Sequence, residues 1–271
     1  MEFIAKFEGL EADRHRAPAY EAAESIVGIA RAFTLASHTL VTGEVRKRTP
    51  YDNRLALYLR PMREGSLETV FHAIVQSPDL KAFGIAAGAG ITASLFTDLI
   101  RVLFRRAVGF EQKAESRSVE QFIEDKAGNF DALQDAVEPA LKMAHEVIDN
   151  GVSSISIIGD SNVAKFNRIT KQYIRSHALE ERFEEMDVSV GAFNVNQKTG
   201  RVFFHDLGKT VPFKIAKEAP PFTTTILAAG LEAYANALGT KPTHIRFRRV
   251  LTPDGRTKSI VIYGASRVII Q

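Results

Sequence analysis

Residues 187–216 read DVSVGAFNVNQKTGRVFFHDLGKTVPFKIA. They read as three strands, 187–196, 201–205 and 210–216, joined by a glycine-bearing hairpin turn at 197–200 and a second turn at 207–209. Pro220 and Pro221 end the third strand, and 222–238 reads as a helix stopped by Gly239 and Pro242. A last hairpin follows, 244–251 and 257–269 around the Pro253-Asp254-Gly255 turn. The resulting order, β-β-β-α-β-β, is that of the five-stranded OB-type barrel, whose helix lies between strands three and four. Other small barrels and open sheets share this order.

Working outward, Phe3, Ala5 and Phe7 alternate with Ile4, Lys6 and Glu8, which predicts a first strand. After Pro18, apolar residues recur at helical spacing and predict a helix over 18–40. Segments 41–48, 55–60 and 67–75 read as three further strands, bounded by turn signals at 49–50 and 64–65. Residues 78–149 read as helical, with breaks at Gly109 and Gly128 and a helix start or kink at Pro139. A short β-branched run covers 153–158, and Gly159-Asp160-Ser161 caps an expected helix over 161–183. The fold class is therefore α+β. Its expected parts are an N-terminal β-α-β-β-β lobe (1–77), a helical middle (78–183) and a C-terminal small β-barrel-like domain (184–271).

The chain has 271 residues, enough for one or two domains with a sizeable core, and its 45% hydrophobic and 25% charged residues exclude a disordered or fibrous protein. It contains no cysteine, which excludes disulfides, thiolate metal sites and a cysteine nucleophile and fits a reducing compartment. No signal peptide is read at the N-terminus, so a cytoplasmic location is expected. The net charge of +3 hides an asymmetry. Residues 111–149 carry ten acids and four bases, whereas 241–271 carry seven bases and one acid. A basic C-terminal surface suits a phosphate-bearing partner. Residues 82–97 are uncharged but span only about 24 Å as a helix, short of a ~30 Å hydrocarbon core, so integral membrane insertion is not expected.

Three constellations carry the functional reading. In the strand around 244–250, Arg246 and Arg248 share a face, Phe247 and Arg249 oppose them, and Arg256 and Lys258 lie across the hairpin. With Phe193, Phe203, Phe204 and Tyr263 on neighbouring strands, this pattern suits a groove that pairs phosphates with arginine and stacks bases on aromatic rings. It equally suits a solvated strand face with the phenylalanines in the core. In the expected helix after Ser161, Lys165, Arg168, Lys171 (or Gln172) and Arg175 fall near one face, the pattern of a basic amphipathic helix or of an ordinary surface helix. Gly84, Gly88 and Gly90 give small-residue spacing in an expected helix over 82–104. This suits close helix packing or oligomerisation, or a membrane-inserting hairpin.

Catalytic and metal chemistry find no motif. The seven histidines are scattered, with no pair at metal-binding spacing on a helix, and there is no Gly-x-Ser-x-Gly turn, P-loop or Gly-x-Gly-x-x-Gly after a strand. No catalytic residue, metal site or cofactor is expected.

Arg63 to Glu68, following the helix with Gly28 and the Thr42-Gly43-Glu44 turn, occurs together with Asn194 to Arg201 and Thr210 to Phe213. In this combination the chain resembles an uncharacterised family of bacterial proteins associated with prophages and anti-phage defence neighbourhoods. The resemblance implies a bacterial, cytoplasmic component of defence or of a mobile element, and supplies no active site.

The sequence thus predicts a non-enzymatic binding or assembly protein. Nucleic acid is the preferred ligand, through the basic C-terminal domain, and a protein partner or a homo-oligomer is open. The alternative is a membrane-perturbing effector using 82–104.

Overall fold

The computed structural model describes residues 1–60, 67–76, 81–84, 90–125, 127–205, 209–236 and 242–267. The chain is α+β and divides into two compact units, Met1–Arg175 and Ser176–Gln271.

In the first unit, β1 (Glu2–Glu8) is followed by α1 (Ala19–Thr42), β2 (Leu55–Arg60), β3 (Glu68–Val75), α2 (Ala93–Ala107), α3 (Arg117–Asp125), α4 (Ala127–Ala144), β4 (Ser154–Ile158), β5 (Asn162–Asn167) and α5 (Arg168–Arg175). The strands form one antiparallel sheet in the order β2-β3-β1-β4-β5. Alternation in β1 puts Phe3, Ala5 and Phe7 on the buried face. There Phe3 meets Phe33 of α1 at 5.0 Å and Phe96 of α2 at 5.5 Å, and Phe33 meets Phe71 of β3 and Phe104 of α2. This aromatic cluster holds the helices on the sheet. The expected division at residue 77 is therefore not a boundary: β4 and β5 complete the sheet that β1 to β3 begin, and α1 packs along α4.

Helix α1 starts beside Pro18, as predicted, and runs to Thr42. No strand forms over 41–48, because Leu40 and Val41 stay on the buried helical face and the turn ends only at Gly43, whose N–H donates to the Thr39 carbonyl. Of the helix expected over 82–104, α2 begins at Ala93, and residues 85–89 lie outside the described residues. Glycine-rich sequence is a poor helix former, and Thr92 supplies the cap, its Oγ1 accepting from the Leu95 N–H at 3.2 Å. Ala82–Gly84 is a single 3-10 turn. The apolar side chains of α2, Leu95, Phe96, Leu99, Ile100, Leu103 and Phe104, lie in the core of the unit.

The helix expected over 161–183 is replaced by β5 and the short α5. Ala164 and Phe166 are buried in register against β4, with Val163 buried at a bulge beside them, so pairing across the sheet outweighs the helical spacing of the charges. Asn167, not Asp160 or Ser161, caps α5: its Oδ1 accepts from the Ile169 and Thr170 N–H groups at 2.9 and 3.1 Å.

A buried carboxylate anchors α3. Asp98 of α2 is 2% exposed and accepts from the Glu115 N–H and, at 2.7 Å, the Ser116 N–H, just ahead of the helix. Asp98→Ala strands both donors and is expected to cost about 2–3 kcal/mol. A urea titration followed by far-UV circular dichroism checks this as a lowered midpoint.

In the second unit, β6 (Ala178–Leu179), β7 (Glu184–Asn194), β8 (Thr199–Phe204), β9 (Lys209–Ile215), α6 (Phe222–Ala235), β10 (Thr243–Leu251) and β11 (Thr257–Arg267) follow in order. Strands β7, β8 and β9 form an antiparallel meander, β9 pairs parallel with β11, and β10 pairs with both β11 and β7. That last pairing closes a five-stranded barrel, with β6 an added strand beside β10. Alternate residues fill its interior, among them Val190, Val202, Phe204, Val211, Ile245 and Phe247.

Candidate nucleic-acid interface

The barrel closes in the strand order expected of an OB-type fold, with α6 between its third and fourth strands. Closure fixes which candidate side chains face outward. On β10, Thr243, Ile245 and Phe247 are buried, while His244, Arg246 and Arg248 lie on the outer side. Arg246 places its guanidinium 4.3 Å from the centre of the Phe183 ring, and Arg248 stands 5.6 Å from the same ring. Phe183, 41% exposed, meets Tyr263 edge-on at 4.9 Å. Two arginines and two aromatic rings thus form one cluster, with Arg246 and Phe183 exposed and Arg248 and Tyr263 half-buried. Phe183 was missed in the sequence because it lies outside the regular strand pattern.

The other cations of the hairpin are engaged within the unit. Arg249 grips both carboxylate oxygens of Glu184, at 2.6 and 2.8 Å, and donates to the Thr257 hydroxyl at 2.9 Å. The Arg249 hydrogen bonds hold the Glu184 carboxyl below its usual range, and Glu184 in turn raises Arg249. Arg256 donates to Asp254 at 2.6 Å. Arg248 also donates to the Glu180 carbonyl, and Arg246 lies 4.0 Å from Glu185. Lys258 sits on β11. His244 is held between Asp187 at 2.8 Å and Glu185 at 3.6 Å, and the Asp187 hydrogen bond raises its pKa. The acids of 180–187 therefore offset much of the charge that the sequence places on β10.

Strands β8 and β9 show the opposite balance. Residues 188–205 and 209–217 contain Lys198, Arg201, Lys209, Lys214 and Lys217 and no acid. Asp206, between these two segments, lies outside the described residues, and Glu218 follows Lys217; the excess of cations in the strands themselves was the available signal for this face. Phe203, half-buried, stands 5.2 Å from His205, whose Nε2 lies 3.0 Å from the Ser189 hydroxyl. Phe204, by contrast, is in the core and is no binding residue.

The remaining predicted residues are not brought together. Lys165 is on β5 and Arg168 and Arg175 are on α5, so they share no helix face, and Arg175 pairs with Glu146 at 2.7 Å. All three belong to the first unit. Gly84 ends a 3-10 turn, Gly88 lies outside the described residues, and Gly90 is exposed, with no atom within 4 Å of where a Cβ would stand. Gly90 therefore mediates no close packing. The close helix approach is made by Gly28 instead. Among the described residues no His, Asp or Glu cluster could hold a metal ion, and no helix is long and apolar enough to cross a membrane.

The second unit is thus an OB-type barrel carrying an arginine–aromatic cluster. The chain belongs to the family described as Domain of unknown function (DUF7946), whose model matches residues 3–175. A second family, described as Family of unknown function (DUF7947), matches residues 182–266. The two matches meet near residue 175, where the structure divides. Comparison with curated proteins and with solved structures finds no match.

Proposed function

We propose that this protein binds single-stranded nucleic acid through its C-terminal barrel, without catalysis. The observation that carries the reading is the cluster of Arg246, Arg248, Phe183 and Tyr263, with Arg246 and Phe183 exposed, on a closed five-stranded barrel. Guanidinium groups engage phosphates and aromatic faces stack bases, a combination that tolerates any sequence. Arg201, Lys209 and Lys214, with no acid within β8 or β9 themselves, add a favourable charge for a polyanion. A part in anti-phage defence rests on the sequence resemblance alone.

Replacing both outward arginines, Arg246→Glu with Arg248→Glu, removes two phosphate donors and adds two repelling charges. Affinity for a fluorescent oligothymidylate is expected to fall at least ~100-fold, two decades, with the melting temperature little changed. Unchanged affinity in the folded double variant would contradict the proposal.

A further inference from the structure

The outer side of β7 sets two carboxylates against the cations of β10. Asp187 stands opposite His244 and Glu185 opposite Arg246 as cross-strand partners, all four turned away from the barrel interior. Asp187 lies 2.8 Å from His244 Nδ1. Glu185 is shared: one oxygen lies 3.6 Å from His244 Nε2 and the other 4.0 Å from Arg246 Nε. Arg246 in turn stands over the Phe183 ring. Asp187, His244, Glu185, Arg246 and Phe183 thus form a continuous row, and the imidazole is the group in it whose charge changes near neutral pH.

The surroundings add little charge of their own. On the β11 side, Ser266 stands opposite His244 and Gly264 opposite Arg246, and Arg267 lies opposite Thr243. Helix α6, which meets both β7 and β10, carries one charged residue, the exposed Glu232. Arg248, next after Arg246 on the outer side of β10, donates to the Glu180 carbonyl.

With a neutral imidazole, two carboxylates face a single guanidinium and repel a phosphate that approaches it. With an imidazolium, the charges in the row balance, and Glu185 stays on His244 while a phosphate takes Arg246. The Asp187 hydrogen bond raises the pKa of His244 from its ordinary 6.5. The charged form is therefore held below that raised value and is lost as the pH climbs through it.

We infer that His244 gates this cluster: its proton draws Glu185 away from Arg246 and lets single-stranded nucleic acid bind there. The inference rests on the proposed nucleic-acid function and adds its regulation by pH.

Anisotropy titrations of an oligothymidylate at about pH 6 and about pH 8.5, at constant ionic strength, test it. Thymine and diester phosphates keep their charge across that window. Affinity is expected to be about 3–5-fold higher at the lower pH, the effect of one solvent-screened charge beside the phosphate. His244→Gln is expected to lose this difference. Glu185→Gln is expected to bind about 3–5-fold more tightly than the wild type at the higher pH. Melting temperatures verify that both variants fold. Equal wild-type affinity at the two pH values overturns the inference and leaves the proposed function standing. So does a pH dependence that survives in His244→Gln, which the exposed His205 would supply, or an unchanged affinity of Glu185→Gln at the higher pH. Absence of wild-type binding at both pH values overturns both. By reciprocity, bound oligonucleotide must raise the pKa of His244, read by NMR from the imidazole resonance that His244→Gln deletes. A titration of that resonance unmoved by bound oligonucleotide also overturns the inference.

Discussion

Gly28→Val is expected to destabilise Met1–Arg175 strongly while leaving the barrel protected. At Gly28 of α1 a Cβ would stand 2.4 Å from both the Ala140 carbonyl oxygen and the Ala144 nitrogen of α4, and 2.9 Å from the Met143 carbonyl carbon. These are backbone atoms, so no rotamer change relieves the overlap and the helices must move apart. Replacing glycine recovers up to ~1 kcal/mol of helix propensity, less for a β-branched residue. Overpacking of a tight interior costs typically ~1–3 kcal/mol and more when backbone must shift. Separating α1 from α4 also loosens Ser25, whose hydroxyl accepts from the Val147 N–H at 3.2 Å. The net loss is expected to be about 4 kcal/mol, a large share of a domain's stability. Limited proteolysis with mass analysis checks it: the variant should be cut throughout 1–175 under conditions that spare 176–271.

Acidification below pH 6.5 is expected to remove about 3 kcal/mol from the same unit, through His145. This imidazole is wholly buried; Nδ1 lies 2.6 Å from the Leu141 carbonyl oxygen and Nε2 lies 2.9 Å from the Thr170 hydroxyl. With Nδ1 protonated toward Leu141, Nε2 accepts from Thr170, and the neutral ring is fully satisfied. Burial lowers its pKa to about 4, with the Lys171 and Arg175 cations adding to the effect against the Leu141 hydrogen bond. The unfolded chain titrates near 6.5. The folded state therefore binds its proton later than the unfolded state. The contribution is complete above about pH 6.5 and is lost as the pH falls toward 4, at about 1.4 kcal/mol per unit. Denaturation midpoints across that window should fall in the wild type, and this slope should be absent in His145→Gln.

The sequence made the barrel legible because its pattern is local. Three strands with turn residues between them, a helix closed by Gly239 and Pro242, and a final hairpin leave few ways to close a sheet. Helix α1 was legible for the same reason, since Pro18 and the apolar stripe act within one element. Strand β5 was not. Lys165, Arg168 and Arg175 have helical spacing, and only the partner strand β4, which pairs with Ala164 and Phe166, decides the structure there. The small-residue packing was misplaced for a similar reason: Gly28 acts through Ala140 and Ala144, over a hundred positions away in sequence.

The candidate site was half legible. Arg246 and Arg248 emerge on one outer face, as a strand's alternation requires. Their aromatic partner Phe183 and the neutralisation of Arg249 by Glu184 depend on β7 lying beside β10, a pairing that appears only on barrel closure. The acid-free stretch on β8 and β9 was readable but carries meaning only once those strands are neighbours.

The barrel is expected to take a polyanion by its cations. Fluorescence anisotropy of a labelled oligothymidylate, titrated with the wild-type protein between about 50 and 200 mM salt, tests this directly. Three or four phosphate contacts predict saturable binding and a log–log slope of roughly −2 to −3, since each contact on a single strand contributes about −0.7. Absence of binding at the lowest salt, or an affinity indifferent to salt, would contradict it.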